Sequence, residues 1–347
     1  MFSLNFIGAA KRYNTSGIAP SLVDLKVLLS ELNMSSIKLI YSLIGCVSNA
    51  VLRCVVCLFL SKLFFKKLEK FNSMRFAIML IVTVVCSVHI TASRIDTIYV
   101  KSHVMNKLIP NLIIVPDSYD TQNKMFPVLY LLHGASADYK DWLRKAPQLA
   151  EYVDLYDFII VCPDGSHTSW YFDSPVDPTM QYETYISQEL IQVVDQSFRT
   201  IKKPEGRAIS GLSMGGHGAF YLAFRHQDIW GAAGSTSGGL DIRPFPKNWN
   251  LSKRLGSYAE NKSNWENNTV INLVYLLEGS KLKLIFDCGV DDFFYDGNKR
   301  MHEKLMERKI PHDYIERPGE HRAEYWANSI KYQLMFFDDF FGAQKLQ

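Results

Sequence analysis

Beyond residue 93 this 347-residue chain holds only two of its six cysteines, Cys162 and Cys288, too few for a disulfide framework. The same segment has no phosphate-cradling glycine loop, no cluster of metal-ligand residues and no internal repeat, so nucleotide chemistry, a metal centre and a solenoid lose their sequence support. Nor is there a clean membrane span. Residues 39–60 are long enough for one, yet Asn49 and Arg53 sit inside, and a central arginine costs about 2.5–3.5 kcal/mol on insertion scales. A basic surface for nucleic acid is missing too. Residues 1–93 carry ten Lys and Arg against three Asp and Glu, whereas the remainder carries 28 against 32. The positive excess therefore flanks a membrane-directed segment and does not form a nucleic-acid patch.

That segment is the apolar stretch 76–88, preceded by Lys66, Lys67, Lys70 and Arg75 and followed by Thr91-Ala92-Ser93. A basic flank, a short apolar core and small residues at its end predict a secretory signal over residues 74–93, too short to span a bilayer comfortably. Residues 1–73 are then an extension upstream of a start at Met74, or a membrane segment that anchors the protein. Export to the periplasm or the medium is the expectation, with membrane contact only through the N-terminal segment.

Residues 94–347 suit one α/β domain with a full core. Three continuous apolar runs, Phe126-Pro127-Val128-Leu129-Tyr130-Leu131-Leu132, Phe158-Ile159-Ile160-Val161-Cys162 and Leu282-Lys283-Leu284-Ile285-Phe286-Asp287-Cys288, have the character of strands covered on both faces. Helix-like periodicity fills residues 142–152, 182–198, 214–225 and 297–308. Strands alternating with helices predict a mostly parallel central sheet flanked by helices on both faces. The strands bearing Cys162 and Cys288 should lie several positions apart, leaving two buried free thiols.

Chemistry concentrates in Ile209-Ser210-Gly211-Leu212-Ser213-Met214-Gly215-Gly216-His217-Gly218, a strand running into Gly-x-Ser-x-Gly and then a helix. This pattern exposes a serine hydroxyl on a strained turn above a sheet, and only glycine fits the crowded flanks. The rival reading of Ser213 is a helix N-cap after a glycine-rich turn. A nucleophilic serine needs a base and an orienting acid, which on such folds follow in the order Ser, acid, His. Asp291-Asp292 follows the third run, and His321 follows in Pro318-Gly319-Glu320-His321. Either aspartate could be the acid at this level. Of the other eight histidines, His217 lies on the serine's own helix and points away from it, and His133 shapes a loop instead of titrating. The oxyanion donors are the N–H of Met214 and one N–H from the loop after Leu132-His133-Gly134.

The motifs Tyr130-Leu131-Leu132-His133-Gly134, Gly211-Leu212-Ser213-Met214-Gly215-Gly216, Asp287-Cys288-Gly289-Val290-Asp291-Asp292-Phe293 and Pro318-Gly319-Glu320-His321 resemble those of the esterase D / antigen 85 group of α/β-hydrolases. That group includes feruloyl and acetyl-xylan esterases, small exported acyl esterases and mycolyltransferases. The resemblance covers roughly residues 96–341 and implies the α/β-hydrolase fold. It puts the nucleophile on Ser213, the base on His321, the acid on Asp292 and the second oxyanion donor on the N–H of Ala135. It also implies that Trp170 and Tyr171, in Ser169-Trp170-Tyr171-Phe172-Asp173, lie beside the acyl pocket. Glu320-His321-Arg322 departs from the group, where a small residue more often precedes the histidine and an acid follows.

The implied activity is that of a serine carboxylic-ester hydrolase needing no cofactor or metal. Its substrates would be short-chain acyl or aromatic esters, acetyl or feruloyl, carried as small esters or on carbohydrate. Acyl transfer to a sugar hydroxyl shares every catalytic residue, and a non-catalytic binding module is the remaining alternative. The weakly patterned residues 238–279, with Trp249 and Trp265, form either a cap over the site or a solvated surface segment.

Overall fold

The computed structural model describes residues 93–345; the extension 1–73 and residues 74–92 of the signal-like segment lie outside them. Eight strands form one sheet: β1 (Arg94–Ser102), β2 (Lys107–Val115), β3 (Val128–Leu132), β4 (Ile159–Pro163), β5 (Arg207–Gly211), β6 (Ala232–Thr236), β7 (Lys283–Gly289) and β8 (Asp313–Arg317). Their spatial order is β1-β2-β4-β3-β5-β6-β7-β8. β1 and β2 pair antiparallel, as do β2 and β4, and every later pairing is parallel. The mostly parallel sheet flanked by helices that the strand–helix alternation predicts is the observed one, as is the fold that the resemblance implies.

The buried strands explain themselves by alternation. Val128, Tyr130 and Leu132 of β3 enter one core, and Leu129 and Leu131 enter the other. Each fully buried aliphatic side chain of this kind contributes about 1.5–3 kcal/mol, so a sheet with apolar residues on both faces must be covered twice. On the first face lie α2 (Ile191–Ser197), α3 (Met214–Arg225) and α4 (Tyr295–Glu307), through Val194, Phe220 and Met301 among others. The second face is closed by α1 (Leu149–Tyr156) and the long α5 (Ala323–Lys345), which inserts Ile330, Leu334 and Phe337.

Two helical expectations are modified. The periodic stretch at 142–152 breaks into Asp141–Lys145 and α1, because Pro147 disfavours helical backbone at Ala146. The stretch at 182–198 is helical as far as Ser197, but Tyr185–Leu190 is wound as a π-helix before α2. Among the described residues no helix is long and apolar enough to cross a membrane.

Cys162 on β4 and Cys288 on β7 are both buried and free. Four ladder steps separate their strands, roughly 19 Å at about 4.8 Å per step, against the 7 Å or so that a disulfide can bridge. The parallel strands place their C-terminal ends on one edge. From that edge emerge the loops after β3, β5, β7 and β8, which carry Gly134, Ser213, Asp292 and His321. Sites on open α/β sheets form at this edge.

Candidate active site

Ser213 sits between β5 and α3 with φ 56° and ψ −116°, a conformation that non-glycine residues avoid at a cost of about 1–3 kcal/mol. Surrounding hydrogen bonds hold it there. Its N–H donates to Thr236 O at 3.0 Å, and its carbonyl accepts from His217 N at 3.1 Å. The flanking glycines are required by close approach. A Cβ on Gly211 would stand 2.4 Å from Gly215 O, and one on Gly215 would stand 2.4 Å from Leu132 O. Although Ser213 occupies the N-cap position of α3, its side chain makes no capping hydrogen bond. The hydroxyl turns instead to His321, whose Nε2 lies 2.9 Å from Ser213 Oγ.

The other ring nitrogen, Nδ1, lies 2.8 Å from Asp292 Oδ2. β7 and β8 run parallel in register, with Gly289 opposite Arg317. The loops beyond them stay together because Val290 N donates to Arg317 O at 2.9 Å and Asp291 N to Gly319 O at 3.0 Å. This pairing carries Asp292 to His321 across 29 residues of sequence. Asp292 is buried and its Oδ1 also accepts the N–H of Phe294 at 2.8 Å, whereas Asp291 faces solvent. Of the two aspartates open to the sequence, Asp292 is the one brought to the imidazole.

Met214 begins α3, so its N–H has no preceding helical carbonyl to bind, and the N–H of Ala135 likewise makes no hydrogen bond among the described residues. The Ala135 loop is set directly against the serine. A Cβ on Gly134 would stand 3.4 Å from Ser213 Cβ. The ring of His133 locks this loop through both of its nitrogens. Gly165 N–H donates to His133 Nε2 at 2.8 Å, which leaves the proton on Nδ1 to donate to Gly134 O at 2.8 Å. Burial holds the His133 pKa below its ordinary value, consistent with this neutral tautomer. His217 is also buried, between the carbonyls of Trp170 and Asn268 at 3.0 and 2.9 Å, and burial lowers its pKa to about 4.

Trp170 and Tyr171, which the resemblance set beside the acyl pocket, are both fully buried, with backbone φ angles of 56° and 62°. Tyr171 fills space against Gly218 of α3 and donates its hydroxyl to His133 O at 3.1 Å, bracing the Ala135 loop from behind. Trp170 packs behind Trp249, with ring centroids 6.0 Å apart. The surface next to the triad is supplied by other rings. Phe293, 51 % exposed, stands 4.2 Å from the His321 ring and stacks on Trp249 at 5.7 Å. Phe245 and Phe294 complete this wall. Phe245 and Trp249 belong to the segment 238–279, so that segment does shape the site, while Trp265 is buried in the core. Spacing alone gave no sign of the wall, because its members come from distant stretches of chain.

Among the described residues no group of three or more His, Cys, Asp or Glu side chains is placed to hold a metal ion. A serine hydroxyl, an imidazole and a buried carboxylate in series, beside two free amides, form an arrangement competent for acyl transfer through a covalent intermediate.

The Esterase family model matches residues 102–337. An esterase of Mycobacterium tuberculosis is 29% identical over 235 residues, covering 60% of this chain and 51% of that protein. The chain thus spans about half the length of that relative. An acetyl esterase of Caldicellulosiruptor saccharolyticus is 26% identical over 223 residues, covering 61% of this chain and 83% of its own. A solved ferulic acid esterase superposes with a TM-score of 0.64 at 27% identity, over 72% of this chain and 99% of that one. The matched span contains Gly134, the turn at Ser213, Asp292 and His321 together, and the chain belongs to the Esterase family of α/β-hydrolases.

Proposed function

We propose that this protein is an exported serine carboxylic-ester hydrolase that works through an acyl-enzyme on short-chain acyl or aromatic esters, including acetyl or feruloyl groups carried by carbohydrate. The observation that carries the reading is the position of His321, 2.9 Å from Ser213 Oγ on one side and 2.8 Å from Asp292 on the other.

Ser213 Oγ attacks the ester carbonyl carbon while His321 Nε2 takes its proton. The carbonyl oxygen becomes an oxyanion that the N–H groups of Met214 and Ala135 stabilise. The C–O bond to the alcohol then breaks, and the imidazolium returns the proton to the departing oxygen. Water, deprotonated by the same imidazole, attacks the acyl carbon, and as the bond to Ser213 Oγ breaks the imidazolium returns the proton to that oxygen, releasing the acid and free Ser213. Asp292 keeps the Nδ1 proton in place and stabilises the transient imidazolium.

Support for the substrate class comes from the relatives named an acetyl esterase and a ferulic acid esterase, and from the exposed ring of Phe293 beside the histidine, a surface suited to an aromatic or small acyl group. Export rests on the basic-flanked apolar stretch 76–88. N-terminal sequencing of the mature protein should find a start near residue 94, and a start at Met1 would remove this part of the reading.

The test is turnover of p-nitrophenyl acetate, butyrate and longer esters, methyl ferulate and acetylated xylan by the full chain, with Ser213→Ala as control. Chain-length preference reports the depth of the acyl pocket, and adding a sugar acceptor separates hydrolysis from acyl transfer. Absence of turnover on every ester, or turnover that survives Ser213→Ala, would reject the proposal.

A further inference from the structure

A concavity lies beside the C-terminal half of α3, away from the serine. Ser213, His217, Tyr221 and Arg225 recur every four residues along this stretch, so they form one stripe along the helix. The stripe begins at the triad and ends in a cleft of about 510 Å³, within the range of roughly 300–1,000 Å³ found for small-molecule sites. Nothing in the ester chemistry uses this cleft.

Its floor is Glu183 and Tyr221. Glu183 is buried and accepts from Arg225 Nε at 2.7 Å and from Tyr221 OH at 2.9 Å, and His226 Nε2 lies 2.8 Å away. On the wall, Asp173 accepts the N–H of Thr184 at 3.0 Å and its hydroxyl at 2.5 Å. The carboxylates are therefore satisfied from within, and the cleft makes no demand for a cation or an anion. Its mouth differs. Gln188 and Asn267 are exposed there, and their side-chain amides make no hydrogen bond among the described residues. Tyr275 stands beside them with its ring 58% exposed. Two free amides, which both donate and accept, beside an open aromatic face suit a neutral polyhydroxyl ring, whose hydroxyls pair with the amides and whose C–H face lies on the tyrosine.

We propose that this cleft is a carbohydrate-binding subsite that holds an unacylated stretch of sugar chain away from the triad. The proposal rests on the carbohydrate-ester reading above and deepens it. An enzyme that removes acyl groups from a polymer gains residence time from a second foothold on the same chain.

The test is calorimetric or NMR titration of the full chain with xylohexaose, cellohexaose and mannohexaose, none of which carries an ester. Wild type and Ser213→Ala should bind one of these sugars alike. Tyr275→Ala and Asn267→Ala, both at exposed positions, should each weaken that binding at least tenfold while circular dichroism remains that of wild type. Glu183→Gln, at the floor, should perturb binding less than the mouth variants. No binding of any of the three sugars, or binding that the mouth variants leave within twofold of wild type, overturns the subsite. Turnover of p-nitrophenyl acetate in the same preparation reports the esterase reading separately, so one can fail while the other stands.

Discussion

Asp292→Asn alters a single atom in the triad yet should nearly abolish turnover, because the surrounding hydrogen bonds dictate which way the new amide points. Oδ1 of Asp292 accepts the Phe294 N–H at 2.8 Å, a contact that only the amide oxygen can keep. The amide nitrogen must then occupy the Oδ2 position, 2.8 Å from His321 Nδ1. Facing a donor, Nδ1 has to become an acceptor, and the imidazole proton moves to Nε2. There it points at Ser213 Oγ, and the ring can no longer remove the serine proton. Loss of the correct tautomer in such triads costs about 10⁴ in kcat, or roughly 5 kcal/mol at 1.36 kcal/mol per decade. The assay is steady-state hydrolysis of p-nitrophenyl acetate from pH 6 to 9. Asp292→Asn should fall by three to four decades in kcat with little change in KM, while Asp291→Asn, altering a solvent-facing side chain, should keep wild-type rates. An Asp292 variant within tenfold of wild type, or a collapse in the Asp291 variant, would refute the assignment.

Three further outcomes follow from the geometry. Gly215→Ala forces a Cβ to within 2.4 Å of Leu132 O and 2.7 Å of His133 O, backbone atoms with little room to move; overpacking of about 1–3 kcal/mol or more should lower Tm by several degrees at roughly 2–4 °C per kcal/mol, and a wild-type melting curve would contradict the turn. Burial acts to raise the Glu183 pKa, but hydrogen bonds from His226, Arg225 and Tyr221 outweigh it and leave the group below its ordinary 4.5. A depressed carboxylate contributes stability that is present above the unfolded pKa and lost as pH falls toward the folded one, so wild type should lose more Tm than Glu183→Gln between pH 5 and 3, and parallel acid profiles would exclude the effect. Burial pushes the pKa of both Cys162 and Cys288 up, so peptide mapping should find neither thiol alkylated before unfolding, and a Cys162–Cys288 crosslink would contradict the sheet order.

What could be read from the chain follows from how local each constraint is. The turn at Ser213 is encoded within five residues, since its crowding excludes any Cβ at Gly211 and Gly215, and the apolar runs of β3, β4 and β7 announce burial on both faces. Chain order then singled out His321. Choosing between Asp291 and Asp292 needed either the motif resemblance or the observed pairing of the loops after β7 and β8, because adjacent residues differ only in which way they face. The burial of Trp170 and Tyr171 was not legible for a related reason. Both have positive φ angles, and no local pattern marks a left-handed tryptophan. The rings that do flank His321, Phe293 and Trp249, lie 44 residues apart in sequence and meet only through tertiary packing. The same holds for the cleft at Tyr275, whose members span residues 173–275.

The central claim is that Ser213 is activated by His321 in the folded protein. A fluorophosphonate probe followed by peptide mass spectrometry tests it most directly. Labelling should fall on Ser213 alone, proceed stoichiometrically with loss of esterase activity, slow by orders of magnitude in Asp292→Asn, and fail in protein unfolded before the probe is added. Inactivation with the adduct on another residue, or full esterase activity in protein that the probe never labels, would contradict the account.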